Sequence, residues 1–181
     1  MVASKPLIAG VMIASIFFSS LYYSISLADW FDWRRNALSD LGNSVKSSVA
    51  AQFNFSLLLV GLLMILLALN HVRRSSRVSW ILFAISGFLL QMIAAFDEVY
   101  GQLHFLTSVA IFASMGLTIL ADSIELRSKT LLGIFALYAL IWPLYFFIKT
   151  STGILTKAAA EMFSIILFMA YFILRCVKAP R

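Results

Sequence analysis

The chain has 181 residues, of which 62% are hydrophobic and 12% charged, and its formal net charge is +6. Soluble domains average about 45–50% apolar and about 25% charged residues. The composition therefore excludes a water-soluble globular domain and predicts an integral membrane protein.

Six apolar runs are long enough to cross a bilayer, which takes roughly 20 mainly apolar residues in a helix. They are 7–28, 52–71, 79–96, 103–121, 130–148 and 159–175. A transmembrane barrel is excluded because its strands would alternate apolar and polar residues, whereas these runs are continuous. The predicted fold is all-α: a single polytopic domain over 1–181, built as a six-transmembrane-helix bundle.

The distribution of Lys and Arg predicts the orientation. With six spans, both termini lie on one side, where nine of the basic residues fall, and the other five fall on the opposite side. Basic residues in short loops favour the cytoplasm. Both termini are therefore predicted to be cytoplasmic, in a multi-pass protein of the cell (plasma) membrane.

The connection after the first span, residues 29–51, is predicted to be a structured outer loop. It contains the stretch SDLGNS, which is rich in residues typical of turns and helix caps. We expect Ser39 or Asp40 to cap a short helix and Gly42 to adopt a positive φ.

The connection after the second span carries Arg73, Arg74 and Arg77. Basic residues close to a membrane attract anionic headgroups by roughly 1 kcal/mol each, so these three are predicted to contact lipid headgroups. No aromatic stacking platform accompanies them, and nucleic acid is not an expected partner.

Polar side chains from separate parts of the sequence reach the outer membrane level. Asp97 and Glu98 follow the third span, His104 begins the fourth and Glu161 begins the sixth. Ionisable groups near hydrocarbon are costly, so they should face the bundle interior and find partners. We expect His104 to pair with Glu161 or Asp97.

The predicted polar cluster comprises Asp40, Asn43, Asp97, Glu98, His104 and Glu161. Two roles remain open for it. The cluster could form a shallow pocket for a headgroup, a cation or a catalytic water, or it could be a hydrogen-bonded latch that ties the outer loop to the helix ends.

Most familiar site chemistries are disfavoured. The only two histidines, His71 and His104, are expected at opposite membrane faces, roughly 30 Å apart, so they cannot share a haem or a zinc ion. Cys176 is the single cysteine, which leaves no internal disulfide or thiolate cluster. The sequence has no GxSxG, HExxH or CxxC motif. No cofactor or metal is expected, and no catalytic residue is identified.

Several motifs resemble those of a known family. NALSDLGNS followed by FNFSLLLVGLLM resembles the start of the DUF998 membrane proteins and, more distantly, of the DRAM/Sfk six-span superfamily. Asp40 and Gly42 match its SD-x-G signature, His104 matches a histidine near the start of the fourth span, and Glu161 matches a glutamate that opens the sixth. The resemblance covers about residues 8–175 and implies the six-span fold, with lipid organisation as an associated role in the eukaryotic relatives.

The favoured function is a non-enzymatic membrane protein that interacts with membrane lipids or with a protein partner, including a possible homo-oligomer. One alternative is a metal-assisted lipid hydrolase that uses the same polar cluster. Another is an accessory subunit of a larger membrane complex.

Overall fold

The computed structural model describes residues 5–75, 77–151 and 156–178, and every regular element within these ranges is helical. The six long helices are α1 (Lys5–Leu27), α2 (Ala50–Ser75), α3 (Val78–Ala95), α4 (Gln102–Glu125), α5 (Lys129–Ser151) and α6 (Lys157–Lys178). Two short 3-10 helices, Leu38–Gly42 and Glu98–Tyr100, lie in the connections before α2 and α4.

All six long helices are long and apolar enough to cross a membrane, which confirms the predicted all-α, six-span architecture. The helices extend past the predicted apolar runs by up to four residues, as where α4 continues to Glu125. Charged residues just beyond the predicted runs, such as Asp122 and Glu125, therefore lie within the helices. We call the end of the bundle that carries the connection 28–49 the loop end, and the opposite end the terminal end.

Consecutive helices pack side by side, and α6 closes the arrangement against α1 and α4. The closest approach is between α2 and α3, where a Cβ added at Gly61 would lie 2.5 Å from the carbonyl oxygen of Gly87. Gln91 Nε2 donates across the same interface to the carbonyl oxygen of Leu58 at 3.1 Å. Glycine here allows two backbones to touch, as small residues do in membrane helix pairs.

Helix α5 is the least enclosed of the six. Only 17% of its apolar window is buried inside the bundle, against 33–50% for the other helices. The outer surface of α5 is therefore available to lipid, and its seam with α4 is incompletely filled.

Candidate functional site

Four segments meet at the loop end: the first 3-10 helix, the turn that precedes α4, and the first turns of α4 and α6. Glu161 is buried, and its Oε2 accepts a hydrogen bond from the amide of Leu38 at 2.6 Å. The Ser39 hydroxyl donates to Glu98 Oε1 at 2.6 Å. Residues that are distant in sequence therefore share one polar cluster.

The connection 28–49 is tied down by acids that lie elsewhere in the chain. Besides the contacts of Glu161 and Glu98, the amide of Ser44 donates to Asp97 Oδ2 at 3.0 Å. The other oxygen of Asp97 accepts from the amide of Val99 at 2.8 Å. Each carboxylate replaces water as the acceptor for a loop donor, so the cluster fastens the loop to the bundle.

Asp40 and Asn43 fold the loop locally rather than joining helices. Asp40 Oδ2 accepts from the amide of Ala37 at 2.9 Å and from Asn36 Nδ2 at 3.1 Å. Asn43 Oδ1 accepts hydrogen bonds from the backbone amides two and three positions further along the chain. Asp40 thus accepts at the start of the short helix, as a capping side chain would.

Gly42 differs from its predicted conformation. Gly101 is the glycine with positive φ among the described residues, at 53°. Gly42 instead lies against Asn54, and an added Cβ would collide with the Asn54 side-chain oxygen. Asn54 Nδ2 donates to the carbonyl oxygen of Gly42 at 2.8 Å. Close packing, rather than backbone conformation, therefore requires glycine at this position.

His104 is buried and contacts Glu98, not the expected Glu161 or Asp97. Its Nδ1 lies 2.8 Å from the carbonyl oxygen of Phe96 and must donate to it, since a carbonyl only accepts. Nε2 lies 3.3 Å from Glu98 Oε1. The prediction of its partner was wrong because Asp97 and Glu161 both turn toward amides of the loop connection.

The electrostatics of the cluster favour ionised acids in the turn that precedes α4. The hydrogen bond from His104 lowers the pKa of Glu98 to about 2; Ser39 and Lys157 assist, and together they outweigh burial. Burial raises the pKa of Asp97, but hydrogen bonds from Ser44 and Val99 outweigh this effect, and the pKa is lowered.

These shifts predict acid sensitivity. Glu98 has a lower pKa in the folded protein, about 2, than its ordinary value of 4.5, so its stabilising contribution is complete above about pH 4.5 and is lost as the pH falls toward 2. The thermal unfolding midpoint in detergent should decline over that window. Glu98→Gln should make this decline in the unfolding midpoint shallower. The part of the decline that persists in the variant is expected from Asp97, whose pKa is also lowered.

The control for acid sensitivity is Asp29→Asn, which changes an exposed carboxylate outside the cluster. This variant should keep the wild-type profile. A Glu98→Gln profile that coincides with wild type from pH 5 to pH 2 would contradict the assigned role of Glu98. The groups that face this carboxylate are His104 on α4, Lys157 and Glu161 on α6, and the Ser39 hydroxyl.

A pocket of about 820 Å³ begins at this cluster and runs along the seam between α4, α5 and α6. Its polar lining lies at the loop end, from Glu98, His104, Lys157 and Glu161. The remaining lining is mostly apolar and aromatic, and it includes Phe105, Phe112, Phe135, Trp142 and Phe146. One end of the pocket is charged and the rest is apolar.

Trp142 and Glu161 both line this pocket but differ in their polar contacts. The indole Nε1 of Trp142 is buried without an acceptor among the described residues. Glu161 Oε1 forms an ion pair with Lys157 Nζ, one turn earlier on α6, at 4.0 Å.

The terminal end holds a second polar network that sequence reasoning missed. Buried Arg175 contacts buried Asp122 with Nη1–Oδ1 at 2.6 Å, and it donates to the Tyr171 hydroxyl at 2.9 Å and to Ser79 Oγ at 3.0 Å. Its guanidinium lies 4.0 Å from the Trp80 ring centroid. This network ties α3, α4 and α6 together.

The sequence signal for this network was a pair of opposite charges at the same end of the fourth and sixth spans. The predicted runs ended at 121 and 175, which assigned both charges to the membrane surface.

The predicted contacts of Arg73, Arg74 and Arg77 with lipid headgroups stay a prediction. The side chains of Arg73 and Arg74 lie outside the described part of the chain, and Arg77 precedes α3 at the terminal end.

Within residues 5–75, 77–151 and 156–178, no three His, Cys, Asp or Glu side chains are placed to hold a metal ion. Residues 9–178 match the model of a family described as a protein of unknown function (DUF998). No curated protein and no solved structure matches the chain.

Proposed function

The chain belongs to the DUF998 family of membrane proteins, and from that premise we propose that it is a non-enzymatic lipid-binding protein. In this proposal one membrane lipid occupies the pocket between α4, α5 and α6. Its headgroup lies at the polar cluster, and its acyl chain follows the aromatic wall. The observation that carries the proposal is the division of this pocket into a charged end and an apolar end.

The position of the pocket favours a lipid over a water-soluble ligand. The pocket lies along α5, the least enclosed helix, so its entrance faces acyl chains rather than water. Exposed Leu117 and half-buried Phe112 extend its lining away from the charged end. A strongly polar ligand would gain little from this apolar wall, whereas an acyl chain buries surface along it.

The charge distribution supports the orientation of the proposed site. Basic residues are concentrated at the terminal end, which favours a cytoplasmic position for that end. The polar cluster is then extracytoplasmic, and Arg73, Arg74 and Arg77 meet anionic headgroups of the cytoplasmic leaflet. The hydrolase alternative lacks a three-ligand metal set among the described side chains.

The proposal is tested by filling the pocket. Ala113 is exposed and lines it, so Ala113→Phe should occupy the space of the acyl chain without disturbing the core. Native mass spectrometry of the detergent-purified protein with defined phospholipids should show at least a tenfold loss of retained lipid.

The matched control is Ala136→Phe, because Ala136 is equally exposed but does not line the pocket. It should retain lipid as wild type does. Equal retention by Ala113→Phe and wild type, with unchanged thermal unfolding, would show that this pocket is not where lipid binds.

A further inference from the structure

We infer that residues 29–36 of the loop connection form an interfacial anchor. Its two exposed indoles, Trp30 and Trp33, lie at the boundary between headgroups and acyl chains in the leaflet at the loop end. The partner of this surface is the bilayer itself, and the contact uses neither the pocket nor the polar cluster. The inference therefore does not depend on the proposed function.

The end of α1 places this segment at the membrane boundary. The membrane-spanning part of α1, Pro6–Leu27, has 22 residues, which corresponds to about 33 Å of helix rise. The hydrocarbon core is roughly 30 Å thick, so Leu27 lies at its edge and Trp30 follows three residues later. Tyr22, Tyr23 and Leu27 are exposed. The lipid-facing surface of α1 therefore continues directly into the interfacial anchor.

An aromatic trio holds the two indoles on the outside of the bundle. Phe31 packs against the buried core, whereas Trp30 and Trp33 remain 40% and 43% exposed. The Phe31 centroid lies 6.1 Å from that of Trp30 and 5.4 Å from that of Trp33, both in edge-to-face geometry. An indole has an apolar ring and a polar N–H, and the membrane interface accommodates both.

The backbone of the interfacial anchor is suited to an environment with little water. The amide of Phe31 donates to the carbonyl oxygen of Ala28 at 2.8 Å, and the amide of Asp32 donates to Asn36 Oδ1 at 2.9 Å. The next amides, at positions 34, 35 and 36, donate to oxygens of Asp32. Amides without acceptors are costly near hydrocarbon, so this closed turn can approach acyl chains more easily than an open loop could.

The charges of the interfacial anchor cancel. It contains two acids, Asp29 and Asp32, and two arginines, Arg34 and Arg35, and Arg35 pairs with Asp32 at 3.6 Å. Without a net charge, the segment has no electrostatic preference for anionic headgroups. Aromatic surface rather than charge therefore drives the contact, and neutral and anionic leaflets should be bound alike.

Depth-dependent quenching of tryptophan fluorescence tests the inference on protein reconstituted in phosphatidylcholine vesicles. Trp80 and Trp142 emit in wild type and in the double variant Trp30→Phe with Trp33→Phe, so the difference between the two signals reports the loop indoles. Bromines near the ester end of the acyl chains should quench this difference about twofold more than bromines near the methyl end or aqueous iodide. Adding phosphatidylglycerol should not change this order.

The matched control adds Phe88→Trp to the double variant. Phe88 is exposed and lies ten residues from the start of the 18-residue helix α3, so the new indole faces lipid near mid-membrane. Bromines near the methyl end should quench it most, which reverses the order expected for the loop. The single variants Trp30→Phe and Trp33→Phe repeat the comparison one indole at a time and protect the test against misfolding of the double variant.

Three results would overturn the interfacial anchor. Stronger quenching by iodide than by either bromine position means that the loop indoles lie in water. Protection from every quencher means that protein, such as a second copy of this chain, covers them. Strongest quenching by bromines near the methyl end means that the segment is inserted below the interface. These results concern the loop alone, whereas lipid retention by the pocket tests the proposed function.

Discussion

Replacing Arg175 by methionine should lower the free energy of unfolding by about 3–5 kcal/mol, the cost of leaving a buried charge without its partner. Asp122 is fully buried and would lose the guanidinium that lies 2.6 Å from it. Ser79 and Tyr171 would lose a donor in the same step. Unfolding of the purified protein by titrated denaturing detergent measures this change.

Two further variants establish the cause. Arg35→Met removes an arginine that is 86% exposed in its side chain and pairs with Asp32 at 3.6 Å; exposed pairs contribute about 0–1 kcal/mol. The double variant Arg175→Met with Asp122→Leu removes both buried charges and should recover much of the loss. If Arg175→Met were no more destabilising than Arg35→Met, the terminal-end network would have no structural role.

Gly61→Ala should destabilise the protein by about 1–3 kcal/mol, the usual cost of overpacking a close interface. The new Cβ would lie 2.5 Å from the carbonyl oxygen of Gly87 and 2.7 Å from Gln91 Cγ. A backbone oxygen cannot rotate away as a side chain can, so α2 and α3 must separate. Their separation also lengthens the hydrogen bond from Gln91 to Leu58.

Gly133→Ala is the matched control, because Gly133 lies inside α5 and an added Cβ there meets nothing within 4 Å. Alanine is preferred over glycine within helices by about 1 kcal/mol, so this variant should be neutral or slightly stabilising. Comparable unfolding of the two variants would mean that the α2–α3 contact is not tight.

Hydrophobicity alone predicted the six helices, because a continuous apolar run of about 20 residues has few alternatives in a membrane. It also predicted that acids and His104 would share one end of the bundle, since span number fixes the end of each connection. Orientation relative to the cytoplasm remains a prediction. So does the more distant resemblance to the DRAM/Sfk superfamily.

Features that depend on rotation about helix axes could not be predicted in the same way. Helix ends decide which charges are membrane-embedded, and the predicted end of the fourth run at residue 121 placed Asp122 at the surface, which concealed its pairing with Arg175. His104 contacts Glu98 because the loop amides occupy the other two acids, which becomes evident only once the loop is folded. The pocket is a gap between α4, α5 and α6, and no sequence pattern indicates where helices pack imperfectly.

Glu161 both holds the loop connection, through the amide of Leu38, and lines the pocket. A lipid that contacts Glu161 in the proposed site would alter the strength of its hydrogen bond to the loop connection. Coupling of this kind is reciprocal: the factor by which a bound lipid changes the affinity of the loop connection for the bundle equals the factor by which docking of the loop changes the affinity for the lipid. Under the proposed function, this one carboxylate would link occupancy of the lipid site to the position of the loop connection.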